Sequence, residues 1–485
     1  MGRGRGRRGA CLRGGWPVRD NSKLLALLVV PLGMVAAFAF AETHPGYFTG
    51  DFYLGGFLGL QVLIFILWHY ETVFFPSMML AFLWAGTNVP LSGIGTMGRW
   101  VLLIIGALVG VVKWVRFGHR RPMNAMHMLG LLCILAALVS AEGSSRSTTS
   151  LLKTLSLALL FLYGAAGARV AVVDREKGFF RGLVRACEIA TWITAAAYFG
   201  LGYDLFGNTN SLGAVFAVLV VPVLLWAVFN ASDHRVRHRL LLALALAFGL
   251  LLFSVARAAI VAGFLASALM CLCMRRGKLM LQGAFVAVLM VTTLAVLQPE
   301  RFPGLMDSAA SDVVYKGHRD EGLLGSRKSP WDDTQKVIRE SPWFGSGFGT
   351  DVMESTTTSA DPWFRSSSDT TREHGSSYLT LLQYVGLLGS VPFAAIFLLI
   401  LFHLRRVCQR MWRTGDASDW AIPLAFICLA GLIDAAFEDW LVAAGYYLNV
   451  FFWTSAFLLS DYQRPAPQPA RVPALPQPSF VPVAR

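Results

Sequence analysis

Residues 240–274 read LLLALALAFGLLLFSVARAAIVAGFLASALMCLCM, and they constrain the architecture more tightly than any other stretch. The only charged residue among these thirty-five is Arg257, three positions after Ser254. As one helix the stretch would be about 52 Å long, far more than the ~30 Å hydrocarbon core of a membrane. An arginine at the midplane would cost at least ~3 kcal/mol. We therefore predict two spans, with a turn at Arg257 on the outer surface beside a large polar loop.

The overall composition also indicates a membrane protein. Of the 485 residues, 55% are hydrophobic and only 15% are charged, whereas a soluble protein carries roughly a quarter charged residues. The apolar blocks are about as long as a bilayer is thick and do not alternate, which argues against a β-barrel. The sequence predicts an all-α, polytopic membrane helix bundle of about 12–14 spans, with one large extracytoplasmic loop that contains short helices.

The apolar blocks give the positions of the predicted spans. They lie near residues 24–41, 52–69, 73–89, 99–116, 124–141, 150–172, 183–203, 209–229, 239–254, 257–274, 279–297, 377–403, 420–437 and 440–460. If the N-terminus is cytoplasmic, all the inter-span basic clusters fall on the cytoplasmic side. These clusters are Lys113–Arg121, Arg169–Arg185, His234–Arg239, Arg275–Lys278 and Arg405–Arg413.

The polar segment from Gln298 to Gly375 has the opposite charge balance. It contains 13 acidic and 9 basic residues and so carries −4, while the whole chain carries +13. Positive charge collects on the cytoplasmic side of membrane proteins, so we expect this loop to face away from the cytoplasm. The predicted organisation is a basic cytoplasmic tail (1–23), an N-terminal transmembrane bundle (24–297), a periplasmic loop domain (298–376), C-terminal transmembrane helices (377–460) and a Pro-rich cytoplasmic tail (461–485). A cleaved signal peptide over residues 1–41 is the less favoured alternative.

Charge and cysteine usage narrow the classes of partner. The positive charge is scattered over short loops, which favours membrane orientation and contact with membrane lipids over nucleic-acid binding. The Arg/Gly-rich residues 1–15 are predicted to be a disordered cytoplasmic tail, with RNA or anionic lipid as alternative contacts. None of the seven cysteines lies in the large loop, so we expect no disulfide there, and their spacing gives no metal site. We expect no cofactor.

Two motifs organise the second half of the loop. Ser329-Pro-Trp-Asp-Asp333 has the residues of a helix start, with Ser329 as N-cap, and predicts a helix to about Glu340. The glycine cluster Gly345-Ser-Gly-Phe-Gly349 follows no predicted strand, which argues against a nucleotide site. It instead predicts a tight loop packed on the membrane face.

Three residues could carry chemistry at the outer face. His374 precedes the span that begins near residue 377, and histidine is well suited to move protons near neutral pH. Arg257 and Arg327 have the planar fork of donors that fits phosphate oxygens. Together they would hold a diphosphate leaving group while His374 takes a proton from an acceptor hydroxyl. The alternatives are a capping role for His374, an Arg257 that reaches lipid headgroups, and a solvated Arg327.

Acidic residues cluster at the last predicted outer turn. Asp434 and Glu438 are one helical turn apart, and Asp439 follows. They could assist acid–base chemistry or bind a cation, but we favour a hydrated end of a span.

The order of several stretches resembles the bacterial O-antigen ligase and polymerase superfamily, whose members are multi-span proteins with one long periplasmic loop. The matching stretches are Gly207-Asn-Thr-Asn-Ser-Leu-Gly, Val255-Ala-Arg257-Ala-Ala, Ser326-Arg327…Trp331, Glu340-Ser-Pro-Trp-Phe-Gly-Ser-Gly, and His374…Tyr378-Leu…Gly386-Leu-Leu-Gly389. Ala256 and Ala258 replace the Ser and the Gly that flank the arginine in the family's Ser-Arg-Gly-like turn. The motif that begins at His374, His-Gly-Ser-Ser-Tyr-Leu, is one residue longer than the family's usual His-Asn/Ser-x-Tyr-Leu pattern.

The resemblance implies metal-independent glycosyl transfer from an undecaprenyl-diphosphate-linked glycan to a lipid or glycan acceptor. It implies that Arg257 and Arg327 hold the diphosphate and that His374 activates the acceptor. We also expect substrate contacts from residues in or beside these stretches, namely Arg319, Asn208, Asn210 and Tyr378. Other polysaccharide-assembly proteins are possible partners.

The sequence leaves the acceptor and two other functions open. A ligase would use a lipid core as acceptor, a polymerase another lipid-linked repeat, and a protein acceptor is a third option. A transporter is the rival class, although we find neither an internal repeat nor charges near the midplane. A non-catalytic scaffold of the same pathway is the second rival.

Overall fold

The computed structural model describes residues 51–87, 92–117, 123–173, 175–203, 205–206, 208–278, 325–350, 375–443 and 445–463. Throughout these ranges the regular structure is helical and no strand occurs, which confirms the predicted all-α class. The predicted spans at 24–41 and 279–297 lie outside the described residues.

The chain divides after Phe74 into two units, Met1–Phe74 and Phe75–Arg485. The described part of the first unit contains α1 (Asp51–Trp68) and a π-helical turn (Tyr70–Phe74). The helices described in the second unit are α2 (Phe75–Ala85), α3 (Ser92–Phe117), α4 (Ala125–Glu142), α5 (Ser147–Val172), α6 (Glu176–Ala195), α7 (Thr209–Asn230), α8 (His234–Phe253), α9 (Arg257–Cys273), α10 (Gly325–Glu340), α11 (Ser377–Thr414), α12 (Ala421–Asp434) and α13 (Asn449–Tyr462).

Within the described residues, six helices are long and apolar enough to cross a membrane. They lie in α3, α4, α5, α7, α8 and α11, while α2, α9 and α12 are shorter apolar helices. The structure thus supports a polytopic helical membrane protein.

Helix α7 forms the centre of the second unit. It is the most hydrophobic of the six helices, and nearly all of its apolar residues are buried. A helix that is apolar on all sides belongs inside a bundle. Accordingly, α7 is surrounded by α6, α8, α9 and α12, while α4 packs on α11 and α2 on α3.

The predicted turn at Arg257 is confirmed, because α8 ends at Phe253 and α9 begins at Arg257. The last predicted span, 440–460, is wrong in its first half. Turns precede α13, which begins only at Asn449. The Asn449 side-chain amide donates to the Trp440 carbonyl oxygen at 2.8 Å. The apolar residues of this segment are buried in turns against the bundle and do not extend the helix.

Helix α10 ends at Glu340 as predicted, but the predicted N-cap at Ser329 is wrong. The helix begins at Gly325 and contains Pro330. Pro330 is the sixth residue of this helix, where it removes one intrahelical hydrogen bond.

The glycine cluster forms a tight loop, as predicted, and packs on α11. Gly386 of α11 has φ 66° and interrupts the helical geometry there. At this break the Leu387 amide donates to the Pro342 carbonyl oxygen at 2.8 Å, and the Gly347 amide donates to the Tyr384 carbonyl oxygen at 3.3 Å. The break therefore lets α11 pair with the segment that follows α10.

Several of these features meet at one end of the bundle. We call this end, formed by the α8–α9 turn, α10, the start of α11 and residues 435–443 and 445–448, the loop end.

Candidate active site

The α8–α9 turn fixes Arg257 as the first residue of α9. Within it Val255 has φ 54°, a left-handed conformation that a β-branched residue rarely adopts and that costs about 1–3 kcal/mol. The buried Ser254 holds the turn. Its hydroxyl donates to the Leu251 carbonyl oxygen at 2.7 Å and accepts from the Ala256 amide at 3.3 Å. The turn therefore fixes the backbone position from which the Arg257 side chain extends.

The start of α7 packs beside this turn. Asn208 is the N-cap, and its side-chain oxygen accepts from the Asn210 amide at 2.9 Å. Further along α7, a Cβ on Gly213 would lie 2.6 Å from the Ser254 hydroxyl oxygen. The structure therefore brings Asn208 and Asn210 to the loop end, where Asn208 already caps a helix.

Arg327 of α10 forms an ion pair at the loop end. Its Nη2 atom donates to Glu438 Oε1 at 2.5 Å, and the two side chains are only 12% and 23% exposed. Partial burial and, second, the charge of Arg327 lower the pKa of Arg257, so the two arginines lie within range of each other's charge. The site therefore gathers two guanidinium groups and one carboxylate from three distant parts of the chain.

The start of α11 lies against the same helix. Gly375, which follows His374 in the sequence, accepts a hydrogen bond from Trp331 Nε1 at 3.1 Å. Its φ is +70°, and a Cβ there would lie 3.2 Å from Arg327 Cδ. His374 itself and Arg319 lie outside the described residues, so their roles stay predictions.

Ser377 connects α11 to the segment that carries Glu438. Its buried hydroxyl donates to the Glu438 carbonyl oxygen at 2.6 Å. The same oxygen accepts from the Trp440 and Leu441 amides, both at 3.0 Å. The neighbouring Tyr378 donates its hydroxyl to the Leu432 carbonyl oxygen at 2.7 Å. Ser377 therefore fixes the backbone around Glu438, and Tyr378 holds the end of α12.

Asp434 is not the hydrated residue that we favoured from the sequence. It is 0% exposed, and Trp440 Nε1 donates to its Oδ2 atom at 2.8 Å. Its Oδ1 atom is buried and, among the described residues, has no hydrogen-bond partner. Asp434 is enclosed because residues 435–443 and 445–448 fold back over the end of α12. Glu438, four positions on, instead pairs with Arg327.

The sequence pointed to Arg257 and Arg327 but missed that Glu438 pairs with Arg327 and that Ser377 fixes the backbone at Glu438. A guanidinium group carries several N–H donors in one plane, a fork that fits the oxygens of phosphate groups. The arrangement can therefore bind an anion with two negative oxygens, such as a diphosphate. In the part of the chain that the structure describes, no three His, Cys, Asp or Glu side chains gather as metal ligands would.

The comparison with protein families gives a match over part of the chain. A family model described as O-antigen ligase matches residues 242–394. The matched range includes Arg257, Arg327 and the start of α11, whereas Glu438 and the start of α7 lie beyond it. No curated protein sequence matches the chain.

Proposed function

We propose that this chain, a member of the O-antigen ligase superfamily by its domain at residues 242–394, transfers a glycan from a polyprenyl diphosphate carrier to an acceptor. The family supports a membrane enzyme of polysaccharide assembly. The observation that carries the finer proposal is the meeting of Arg257 and Arg327 at the loop end. Two guanidinium groups within range of each other's charge repel each other, and a diphosphate bound by both would offset this repulsion.

In the proposed reaction, the acceptor hydroxyl attacks the anomeric carbon of the carrier-linked sugar. The bond between that carbon and the diphosphate oxygen breaks, and the diphosphate leaves with the electron pair. Arg257 and Arg327 stabilise the charge that develops on this leaving group. Glu438 holds Arg327 in place, so little reorganisation is needed when the substrate binds.

The hydroxyl proton requires a base, and we assign this role to His374. General-base catalysis typically contributes about 10²–10⁴-fold to the rate. Gly375, the next residue, lies against Arg327 and Trp331, which supports the assignment. The substrate contacts predicted for Arg319, Asn208, Asn210 and Tyr378 belong to the same proposal.

We also propose that the enzyme lies in the bacterial inner membrane, with the loop end in the periplasm and both termini in the cytoplasm. The first turns of α8 and the last turns of α11 carry the basic clusters His234–Arg239 and Arg405–Arg413. These are the helix ends opposite the loop end. Their position agrees with the rule that positive charge stays inside.

The test is a gel separation, by length, of carrier-linked glycans from the source bacterium with and without the gene. An accumulation of single repeat units in the deletion strain means a polymerase. Long carrier-linked chains that never reach the surface acceptor mean a ligase. An unchanged ladder with normal surface polysaccharide would contradict glycosyl transfer and favour the transporter or scaffold.

Complementation of the deletion strain then tests the residues. We expect His374→Ala, Arg257→Ala and Arg327→Ala to reach the membrane at normal levels but not to restore transfer. Arg339→Ala is the matched control, since Arg339 is an exposed arginine at the other end of α10. Full restoration by His374→Ala would remove His374 from the mechanism.

A further inference from the structure

Arg99 is a deeply buried arginine on α3. It is 5% exposed and lies four residues, or about 6 Å, inside the apolar span that begins at Gly95. Its Nε–H group is buried and donates no hydrogen bond to the described residues, none of which forms an ion pair with Arg99. Its guanidinium carbon lies 5.7 Å from the centroid of the Trp100 ring. A desolvated charge of this kind is costly and often marks a functional site in membrane proteins.

A second buried donor lies nearby on α2. Trp84 Nε1 is buried and has no acceptor among the described residues. A Cβ on Gly95, one helical turn before Arg99, would lie 3.2 Å from Trp84 Cβ. Two neighbouring helices therefore each present a buried N–H group without an acceptor.

The surroundings of Arg99 also border the loop end. A Cβ on Gly445 would lie 3.3 Å from Arg99 Nη2, so the guanidinium packs directly on that backbone. The next residue, Tyr446, stacks on Trp440, with ring centroids 5.9 Å apart, and Trp440 donates to Asp434. Arg99 therefore reaches the segment that also carries Glu438.

No tyrosinate compensates the charge. The hydroxyls of Tyr446 and Tyr447 bond to each other at 2.5 Å. Burial raises the pKa of both tyrosines, so both hydroxyls stay neutral. The charge of Arg99 therefore has no compensating anion among the described residues, and an anion from elsewhere would supply it.

We propose that Arg99 and Trp84 form a second anion subsite, which binds a phosphate group carried by a lipid. A guanidinium fork and an indole N–H both donate to phosphate oxygens. The side chains of Met97 and Val101, on the opposite face of α3 from Arg99, are exposed and apolar, which places this helix at the lipid-facing surface of the bundle, within reach of a phosphate that a lipid carries. The phosphate can come from the carrier-linked donor, which rests on the proposed function, or from a phospholipid headgroup, which does not.

The test uses the full chain in phosphatidylcholine nanodiscs, with binding measured by native mass spectrometry. Undecaprenyl diphosphate and phosphatidylglycerol are the two probes. We expect Arg99→Met to weaken binding of at least one probe about tenfold or more. We also expect it to raise the unfolding midpoint of the empty protein, because an uncompensated buried charge is gone. Arg116→Met, an exposed arginine on the same helix, is the matched control and should change neither quantity.

The two probes distinguish the sources of the phosphate. Weaker binding of undecaprenyl diphosphate alone identifies the donor, and weaker binding of phosphatidylglycerol alone identifies the headgroup. If the wild-type protein binds only phosphatidylglycerol, and does so through Arg99, the subsite stands while the proposed function fails. Unchanged binding of both probes by Arg99→Met overturns the subsite.

Trp84→Phe decides the question if Arg99→Met does not fold. It removes only the indole N–H and keeps an aromatic side chain. Binding that is about threefold weaker, with an unchanged unfolding midpoint, supports the subsite. Unchanged binding by this variant shows that the buried donors serve the fold alone.

Discussion

Replacement of Glu438 by alanine should weaken the fold and, through Arg327, the reaction. The Arg327–Glu438 pair spans 2.5 Å, and its side chains are 12% and 23% exposed. The variant leaves the guanidinium without its carboxylate in a place that water reaches only in part. Arg327 would then lose the contact that fixes its position beside the start of α11.

The burial of the pair sets the size of the effect. Exposed ion pairs contribute about 0–1 kcal/mol, whereas removal of one partner of a buried pair costs about 3–5 kcal/mol. The Arg327–Glu438 pair lies between these limits. We expect Glu438→Ala to lower the free energy of unfolding by about 2 kcal/mol.

A double-mutant cycle isolates the interaction. Glu438→Ala, Arg327→Ala and the double variant are unfolded by titration with denaturing detergent in mixed micelles, and a coupling energy of about 1–2 kcal/mol is expected. The Asp333–Lys336 pair on the same helix is the control. It spans 3.0 Å, but its lysine and aspartate side chains are 63% and 36% exposed. Its coupling should stay below about 0.5 kcal/mol.

Glycosyl transfer by the same variants tests the mechanism. Since Glu438 acts through Arg327, the double variant should be no slower than Arg327→Ala alone. A coupling energy near zero, or a double variant clearly slower than Arg327→Ala, would refute the idea that Glu438 positions the arginine.

Two further substitutions test how the loop end is held together. Gly386→Ala should cost at least about 1–2 kcal/mol of stability in a thermal-unfolding assay, because the φ of Gly386 is positive and a Cβ would lie 2.4 Å from the Trp343 carbonyl carbon. Gly249→Ala is the control. A Cβ on Gly249 meets nothing within 4 Å, so this variant should be neutral or stabilising in the same assay. Ser377→Ala should cost about 1–3 kcal/mol, because its hydroxyl bonds three buried backbone groups. Ser390→Ala on the same helix, whose hydroxyl bonds one carbonyl within α11, should cost little, and equal effects of the two serine variants would contradict this.

The sequence predicted the features that follow from the thickness of the membrane and from the residues that end a helix. The apolar stretch around Arg257 is longer than a bilayer is thick, so a turn had to interrupt it. The end of α10 at Glu340 was also predictable, since a serine and a proline follow it. Both conclusions depend on length and local chemistry, which a sequence displays directly.

The pairing of Arg327 with Glu438 could not be predicted, because the two residues are 111 positions apart. A sequence shows which charges exist but not which of them meet. The segment at 440–448 misled us for a related reason. Its apolar residues indicate burial, and a buried turn has the same hydropathy as the beginning of a span.

Arg99 shows how a small boundary error can hide a residue. The predicted span began at residue 99, which made Arg99 a charge flanking the membrane. The helix in fact begins at Ser92, and this shift moves the arginine inside the apolar segment. The position of a helix boundary therefore decides whether an arginine is interpreted as a charge at the end of a span or as a candidate binding residue inside it.

The most direct measurement follows carrier release and glycan transfer together, with purified protein in proteoliposomes and a radiolabelled polyprenyl-diphosphate glycan. We expect the wild-type enzyme to release one diphosphate carrier for each glycan transferred. Arg257→Ala and Arg327→Ala should each lower both rates at least about 10²-fold. Carrier release without transfer, or a wild-type rate in the variant that lacks both arginines, would contradict glycosyl transfer at this site.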